Sequence, residues 1–319
     1  MSKKEVVIGI DTSNYTTSVA ILGVDGELIA NVKRLLPVAE GQCGLRQSDA
    51  LFAHTKNLPL VMREAERYLS GAEIKAVGVS TRPRNVEGSY MPVFLAGASV
   101  AESLSAMLGV PLYSFSHQCG HVMAALYSSG RLDLMDGSFA AVHVSGGTTE
   151  LLRVSKAEVG FNTELVGGTL DLNAGQVIDR IGVMLGMPFP AGPYLEREAL
   201  KFTGKHNIRK LSGDAMHVNL SGLENMAEKM HREGVDTPEI AHFVLDYVGR
   251  AIIKIIKDFI SIYGDTTTVC AGGVMCNSII KEMLMRELDV CFAEPSMSSD
   301  NAVGIAALTL DALRAGKNK

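Results

Sequence analysis

One design occurs twice in this chain and restricts its fold more than any other feature. Glu5-Val6-Val7-Ile8-Gly9-Ile10 is an apolar run of strand length that breaks at Asp11-Thr12-Ser13-Asn14-Tyr15-Thr16-Thr17 and resumes as Ser18-Val19-Ala20-Ile21-Leu22. Val24-Asp25-Gly26-Glu27 then reads as a hairpin turn, because Asp-Gly readily takes the left-handed angles such turns need. About 130 residues later the pattern returns as Phe139 to Val144, the turn Ser145-Gly146-Gly147-Thr148-Thr149, and Glu150 to Val154. A strand, a polar turn and a returning strand, repeated at that distance, imply two homologous lobes. Each turn is either a loop for an anionic group or an ordinary hairpin tip. In the second, two glycines let backbone amides approach a phosphate closely.

A chain of 319 residues has room for two lobes of roughly 100 to 200 residues, each with a full core. Helix-period stretches (Ser48 to Leu69, Val93 to Leu108, Phe243 to Tyr263) alternate with strand-length runs (Ile74 to Ser80, Pro111 to Phe115, Thr266 to Ala271, Val290 to Ala293), which argues for α/β layers. Lys201 to His231 is polar and less patterned, and is expected to form an excursion on the second lobe. No apolar run is long enough to cross a bilayer, and Met1-Ser2-Lys3-Lys4 leads directly into a strand, so a cytoplasmic protein is expected. The cysteines Cys43, Cys119, Cys270, Cys276 and Cys291 are scattered and odd in number, and read as reduced thiols. A net charge of -5 argues against a broad basic surface, so nucleic acid would need a local patch or a partner protein.

Chemistry concentrates at a few places. His117 and His121 lie four residues apart in the alanine-rich run Ser116 to Leu126, on one helix face, where two imidazoles can converge on a cation. Spacing alone equally allows histidines bonded to carbonyls or water. Arg82-Pro83-Arg84-Asn85 is a basic loop after a strand. Val166-Gly167-Gly168 reads as a glycine turn leading into a helix with Asp171 as its cap, and Asp179 on that helix is either paired or reserved for a ligand hydroxyl. Gly272-Gly273-Val274-Met275-Cys276-Asn277-Ser278 is a third glycine turn into a helix, a place that favours phosphate or a nucleotide edge. Ser299 or Asp300 reads as an N-cap for the terminal helix starting at Ala302.

Several of these stretches together resemble one family. Asp11-Thr12-Ser13, His117-x-x-Gly120-His121, Val144 to Leu151, Ala174-Gly175 with Asp179, Leu185-Gly186 with Pro190-x-Gly192-Pro193, Leu220 to Leu223, Gly272-Gly273-Val274 with Asn277, and Asp300-Asn301 stand in the order found in the TsaD family, formerly described as an O-sialoglycoprotein endopeptidase. The resemblance covers essentially the whole chain. It implies the α/β, two-lobed fold of actin, sugar kinases and chaperone ATPases (ASKHA), with duplicated ribonuclease H-like domains. The lobes would be 1–116 and 117–319, with a polar insertion at about 195–235 and the terminal helix packing back on the first lobe. It further implies that His117, His121 and Asp300 bind Fe2+ or Zn2+, and that Ser145, Gly146, Gly147, Thr148, Asp179, Gly192, Gly272, Gly273 and Asn277 hold an adenine nucleotide (threonylcarbamoyl-AMP, AMP or ATP). Asp11 is the candidate catalytic residue, left with the metal to serve as a positioned base or to help polarise the carbonyl. The implied reaction passes a threonylcarbamoyl group from the adenylate to N6 of adenosine 37 in tRNA, with partner proteins of the TsaB or TsaE type and a homo- or heterodimer through the N-terminal lobe.

The chain departs from the family pattern at several acids. Tyr15-Thr16-Thr17 stands where the family has Asp-Glu-Thr, Cys119 replaces a glutamate between the histidines, and Arg82-Pro83-Arg84 replaces Gly-Pro-Gly. Asp171-Leu172-Asn173 stands for Asp-Asp-Ala, and Gln176 for a glutamate. A divergent member or paralogue is therefore expected. Transfer to a small-molecule amine and a non-catalytic nucleotide-binding role in a TsaD-type complex are the alternatives. The peptidase reading is the weakest, because the histidine pair lacks the intervening glutamate base of zinc proteases.

Overall fold

The first repeat closes into an antiparallel pair, β1 (Lys4–Ser13) and β2 (Thr16–Gly23), with Ile8 opposite Ile21 and Ser13 opposite Thr16. Gly26, at φ 93°, makes the left-handed turn into β3 (Leu28–Leu35). β4 (Ala72–Arg82) and β5 (Leu112–Ser116) add in parallel, giving the order β3-β2-β1-β4-β5. Because strand side chains alternate, Val6, Ile8 and Ile10 face one side of the sheet. There they pack with Leu58, Val61 and Ala65 of α1 (Gln47–Glu66) and Ala96 and Ala101 of α2 (Phe94–Leu108). Gly9 and its neighbour Gly78 face the other side, where the C-terminal helix (Val303–Lys317) lies so close that a Cβ on Gly9 would meet the backbone of Ala306.

The second repeat builds the other sheet: β6 (Ser138–Val144), β7 (Thr149–Lys156), β8 (Phe161–Thr169), β9 (His217–Val218), β10 (Thr268–Ala271) and β11 (Val290–Phe292), in the order β11-β10-β6-β7-β8-β9. Setting aside the two-residue β9 and reading from β8, this is the order of the first sheet. β10 runs parallel to both β6 and β11, as β4 does to β1 and β5. Around it lie α4 (Ala174–Met184), α5 (Gly192–Ala199), α6 (Ser221–Arg232), α7 (Thr237–Tyr263) and α8 (Ser278–Glu287). Ile240, Val244, Val248, Ala251, Ile252, Ile255 and Phe259 recur along α7 at helical spacing and form the spine of the core. The structure, a computed structural model, describes residues 3–13, 15–37, 45–206, 208, 211–264, 266–298 and 302–317, in two units: 1–135 with 155–163 and 296–319, and 136–154 with 164–295. No described helix is long and apolar enough to cross a membrane.

Three details differ from the sequence expectations. The histidine helix, α3 (His117–Ser129), falls in the first unit instead of opening the second. Its residues Gln118 to Leu126 are all buried, and Gly120 is pressed against Gly304 of the C-terminal helix. Val166-Gly167-Gly168 is the end of β8, not a turn: Gly167 lies on Met216 and Gly168 on the Thr149 carbonyl, contacts that leave no room for a side chain. Asp171 does not cap α4, which is closed by a capping box between Asn173 and Gln176. Its carboxylate instead accepts from the amides of Leu220 (2.8 Å) and Ser221 (3.0 Å) at the start of α6. The polar excursion thus contains an ordered helix, held by buried Leu223 and Ala227.

The contact of Gly304 with the Gly120 carbonyl is backbone against backbone, so no rotamer change can relieve an added methyl. Gly304→Ala is expected to lower stability by about 3 kcal/mol, at the upper end of overpacking costs. Gly222→Ala, at an open helical position, should be neutral or slightly stabilising. Thermal unfolding of the two variants beside the parent checks this.

Candidate functional site

β1, β4 and β5 end at the same level of the first sheet, which gathers one acid, one hydroxyl and one helix start. Ile10 pairs with Val79, so Asp11 and Ser80 are neighbours, and Ser80 pairs with Phe115, just before Ser116 and His117. Ser116 caps α3, its hydroxyl accepting from the Cys119 amide at 3.2 Å. Asp11 is fully buried and accepts from Ser13 Oγ (2.6 Å), Ser80 Oγ and His117 Nδ1 (3.2 Å). Burial opposes its ionisation, but His117 and the two hydroxyls outweigh that and hold the carboxyl below its ordinary range.

With Nδ1 turned to Asp11, His117 presents Nε2, which meets Nε2 of His121 at 2.9 Å, the rings edge to face. Two imidazole nitrogens each bound at about 2.0 to 2.1 Å to one ion lie about 3 Å apart, so the pair fits a shared divalent cation. An Nδ1–H donated to the Asp11 carboxylate leaves a lone pair on Nε2, the arrangement that orients a ligating histidine. Asp11 contacts the far side of the ring and is not a third ligand. Among the described residues no group of three His, Cys, Asp or Glu side chains is placed to hold a metal. Asp300, the expected third ligand, lies outside the described residues.

Cys119 turns away from the pair. It is buried, accepts from Asn85 Nδ2 at 3.0 Å, and burial pushes its thiol pKa up. Sequence reasoning missed Ser80 and Asn85. Ser80 could have been found as a polar residue ending an otherwise apolar strand, whereas nothing near Asn85 marks its partner.

In the second unit the turn 145–148 is closed by Ser145 N–H donating to the Thr148 carbonyl at 2.8 Å. The start of α4 tucks beneath it: Ala174 N donates to Thr149 Oγ1 at 2.8 Å, and a Cβ on Gly175 would lie 2.5 Å from the Ser145 carbonyl. Gly272, at φ 98°, sits against the Val144 carbonyl, so the second and third glycine turns meet at the ends of β6 and β10. Asp179 Oδ1 accepts from Ala191 N at 2.7 Å, which brings it to Gly192 at the start of α5. Burial raises its pKa, opposed by the Ala191 and Gly192 amides. Asn277 caps α8 through Ile280 N at 3.1 Å. Glu196 of α5, missed in the sequence, ties the two groups together by accepting from Ser278 N at 2.7 Å and Ser278 Oγ at 2.5 Å.

The tRNA N6-adenosine threonylcarbamoyltransferase of Christiangramia forsetii is 28% identical over 295 residues, covering 89% of this chain and 85% of that protein. Among solved structures, HypF of T. kodakarensis superposes with a TM-score of 0.61 at 13% identity, over 99% of this chain and 48% of that one. A ROK family glucokinase from Streptomyces griseus, in complex with glucose and AMPPNP, superposes with a TM-score of 0.50 at 13% identity, over 95% and 99%. The fold is the two-lobed ASKHA fold of the sugar kinases. The sequence profile of TsaD, tRNA N6-adenosine threonylcarbamoyltransferase, matches residues 40–307, most of the chain, and this protein belongs to the TsaD family.

Proposed function

We propose that this chain is a metal-dependent transferase that passes the threonylcarbamoyl group of threonylcarbamoyl-adenylate to N6 of adenosine 37 in tRNA. The observation that carries the reading, beside family membership, is the convergence of His117 and His121 Nε2 with Asp11 behind the first ring. His117, His121 and Asp300 would hold Fe2+ or Zn2+, which when bound supplies a Lewis acid for the carbamate carbonyl. Asp11 is enclosed, with its oxygens engaged by Ser13, Ser80 and His117, which supports a positioning role through His117. The turn Ser145 to Thr148 offers amides to the adenylate phosphate. Asp179, Gly192, Gly272, Gly273 and Asn277 border the nucleoside in this reading. As the amine forms its bond to the carbamoyl carbon, the bond from that carbon to the phosphate oxygen breaks and AMP departs.

A cytoplasmic location follows from the substrate. Exposed Phe52 and Leu60 on α1, with Leu95 and Met107 on α2, support docking of a TsaB-type partner or a second copy on the N-terminal lobe. A second reading, transfer to a small-molecule amine, is favoured by the neutral residues Tyr15, Thr16 and Cys119 at positions where the family has acids.

Purified protein supplied with the adenylate, unmodified tRNA and partner proteins, followed by nucleoside analysis, is expected to yield modified adenosine. Adenylate consumption with a carbamoylated small amine and unmodified tRNA would establish the second reading instead. His117→Ala combined with His121→Ala should abolish metal content, and Asp11→Asn should weaken metal affinity or activity about 10- to 100-fold, as expected when a ligand's orienting partner is lost.

Nucleotide binding can be checked separately. A bulky side chain at Gly147 would block approach to the turn, and its Cβ would meet no neighbouring protein atom within 4 Å. Gly147→Val should remove AMP binding in calorimetry with little change in melting temperature; unchanged affinity would move the nucleotide elsewhere.

A further inference from the structure

Arg82 is a partly buried cation at the end of β4, paired in register with Ser116, the residue before His117. Its guanidinium donates to Thr81 Oγ1 at 3.3 Å and to Asn85 Oδ1 at 2.9 Å, both neutral. No described carboxylate lies within ion-pair distance of it. Asn85 is fixed in turn: its Nδ2 donates to Cys119 Sγ and to the Phe161 carbonyl, each at 3.0 Å. The loop is further tied to α3 by Gln118 N donating to the Pro83 carbonyl at 3.0 Å. The result is a guanidinium held in place by neutral groups, with most of its fork unengaged, beside the start of the histidine helix.

Such a group fits one planar anion, because an arginine fork matches a carboxylate in two parallel bonds. We propose that Arg82, positioned by Asn85, binds the carboxylate of the threonyl moiety of the adenylate. This rests on the transferase reading above, in which the carbamoyl carbon lies toward His117 and His121. In a threonylcarbamoyl group only the nitrogen and the α-carbon separate the carbamoyl carbon from the carboxylate carbon, so the two groups need binding sites side by side. A nucleic-acid phosphate is the weaker fit. Backbone contacts are made by several exposed cations acting together, whereas this loop carries one exposed cation, Arg84, beside an Arg82 that is partly buried and geometrically fixed, on a chain of net charge -5.

The test is calorimetry with a non-hydrolysable analogue of threonylcarbamoyl-adenylate, a matched analogue lacking the carboxylate, AMP and unmodified tRNA. The parent protein should prefer the carboxylate-bearing analogue. Arg82→Gln should weaken that analogue about 10- to 100-fold, the worth of a charge-assisted pair, and leave AMP and the carboxylate-free analogue unchanged. Arg82→Lys should recover part of the loss, and Asn85→Ala should weaken the same analogue selectively. Equal affinity of parent and Arg82→Gln for the carboxylate-bearing analogue overturns the inference, as does a loss confined to tRNA. A loss that extends to AMP marks a misfolded variant; Arg82→Lys, which retains the charge and the stem, then decides by whether it still separates the two analogues. If the parent binds neither analogue, the transferase reading itself fails, an outcome distinct from all of these.

Discussion

A carboxylate without solvent sets the terms for the first unit. Asp11 is 0% exposed, and an uncompensated buried charge costs several kcal/mol. The chain compensates it with groups from three segments: Ser13 on its own strand, Ser80 from β4, and His117 from α3. Those partners are available only because three strands end together, so removing the acid would leave two hydroxyls and an imidazole facing a void. The same bonds fix the tautomer and ring plane of His117, and with them the meeting of its Nε2 with His121. Local electrostatics thus couples sheet geometry to site geometry.

That arrangement needs α3 to be immobile, and packing supplies this. Gly9 and Gly78, side by side on adjacent strands, make a flat place on which the C-terminal helix can lie, and Gly304 lets that helix touch α3 through the Gly120 carbonyl. Three close approaches along one helix bury its face against both sheet and α3. Nine consecutive residues of α3 are consequently buried, an unusual state for a helix bearing two imidazoles, and one that requires both to be satisfied by specific partners.

The duplication was legible because its signal is local: an apolar run, a polar turn and a returning run need no knowledge of distant partners. The histidine pair was legible for the same reason. What the sequence hid depends on contacts between distant segments. Asp171 looked like a cap for the helix that follows it, yet it bonds amides 49 and 50 residues away, while Asn173 and Gln176 close that helix. β8 was hidden by mixed composition: it carries exposed Asn162, Glu164 and Leu165 and ends in two glycines that resemble a turn, but are pressed against Met216 and Thr149. The placement of α3 with the first unit follows from its contact with a helix at the other end of the chain, which no reading of residues 117–129 alone could supply.

Cys119 shows how one such hidden contact changes the chemistry of a site without touching its histidines. Between its two histidines this chain has a buried thiol whose pKa is raised by burial and which therefore stays neutral. A carboxylate in that place would lie beside Asn85 and within the field of Arg82, whose charge already acts on the Cys119 sulfur. With a thiol there, Asn85 spends its amide hydrogens on Cys119 and the Phe161 carbonyl and turns its oxygen to Arg82. The guanidinium is then oriented but not neutralised. A neutral thiol at position 119 and a cation at position 82 thus leave net positive charge beside the start of α3, while the contacts that join His117 to His121 and Asp11 run through neither residue.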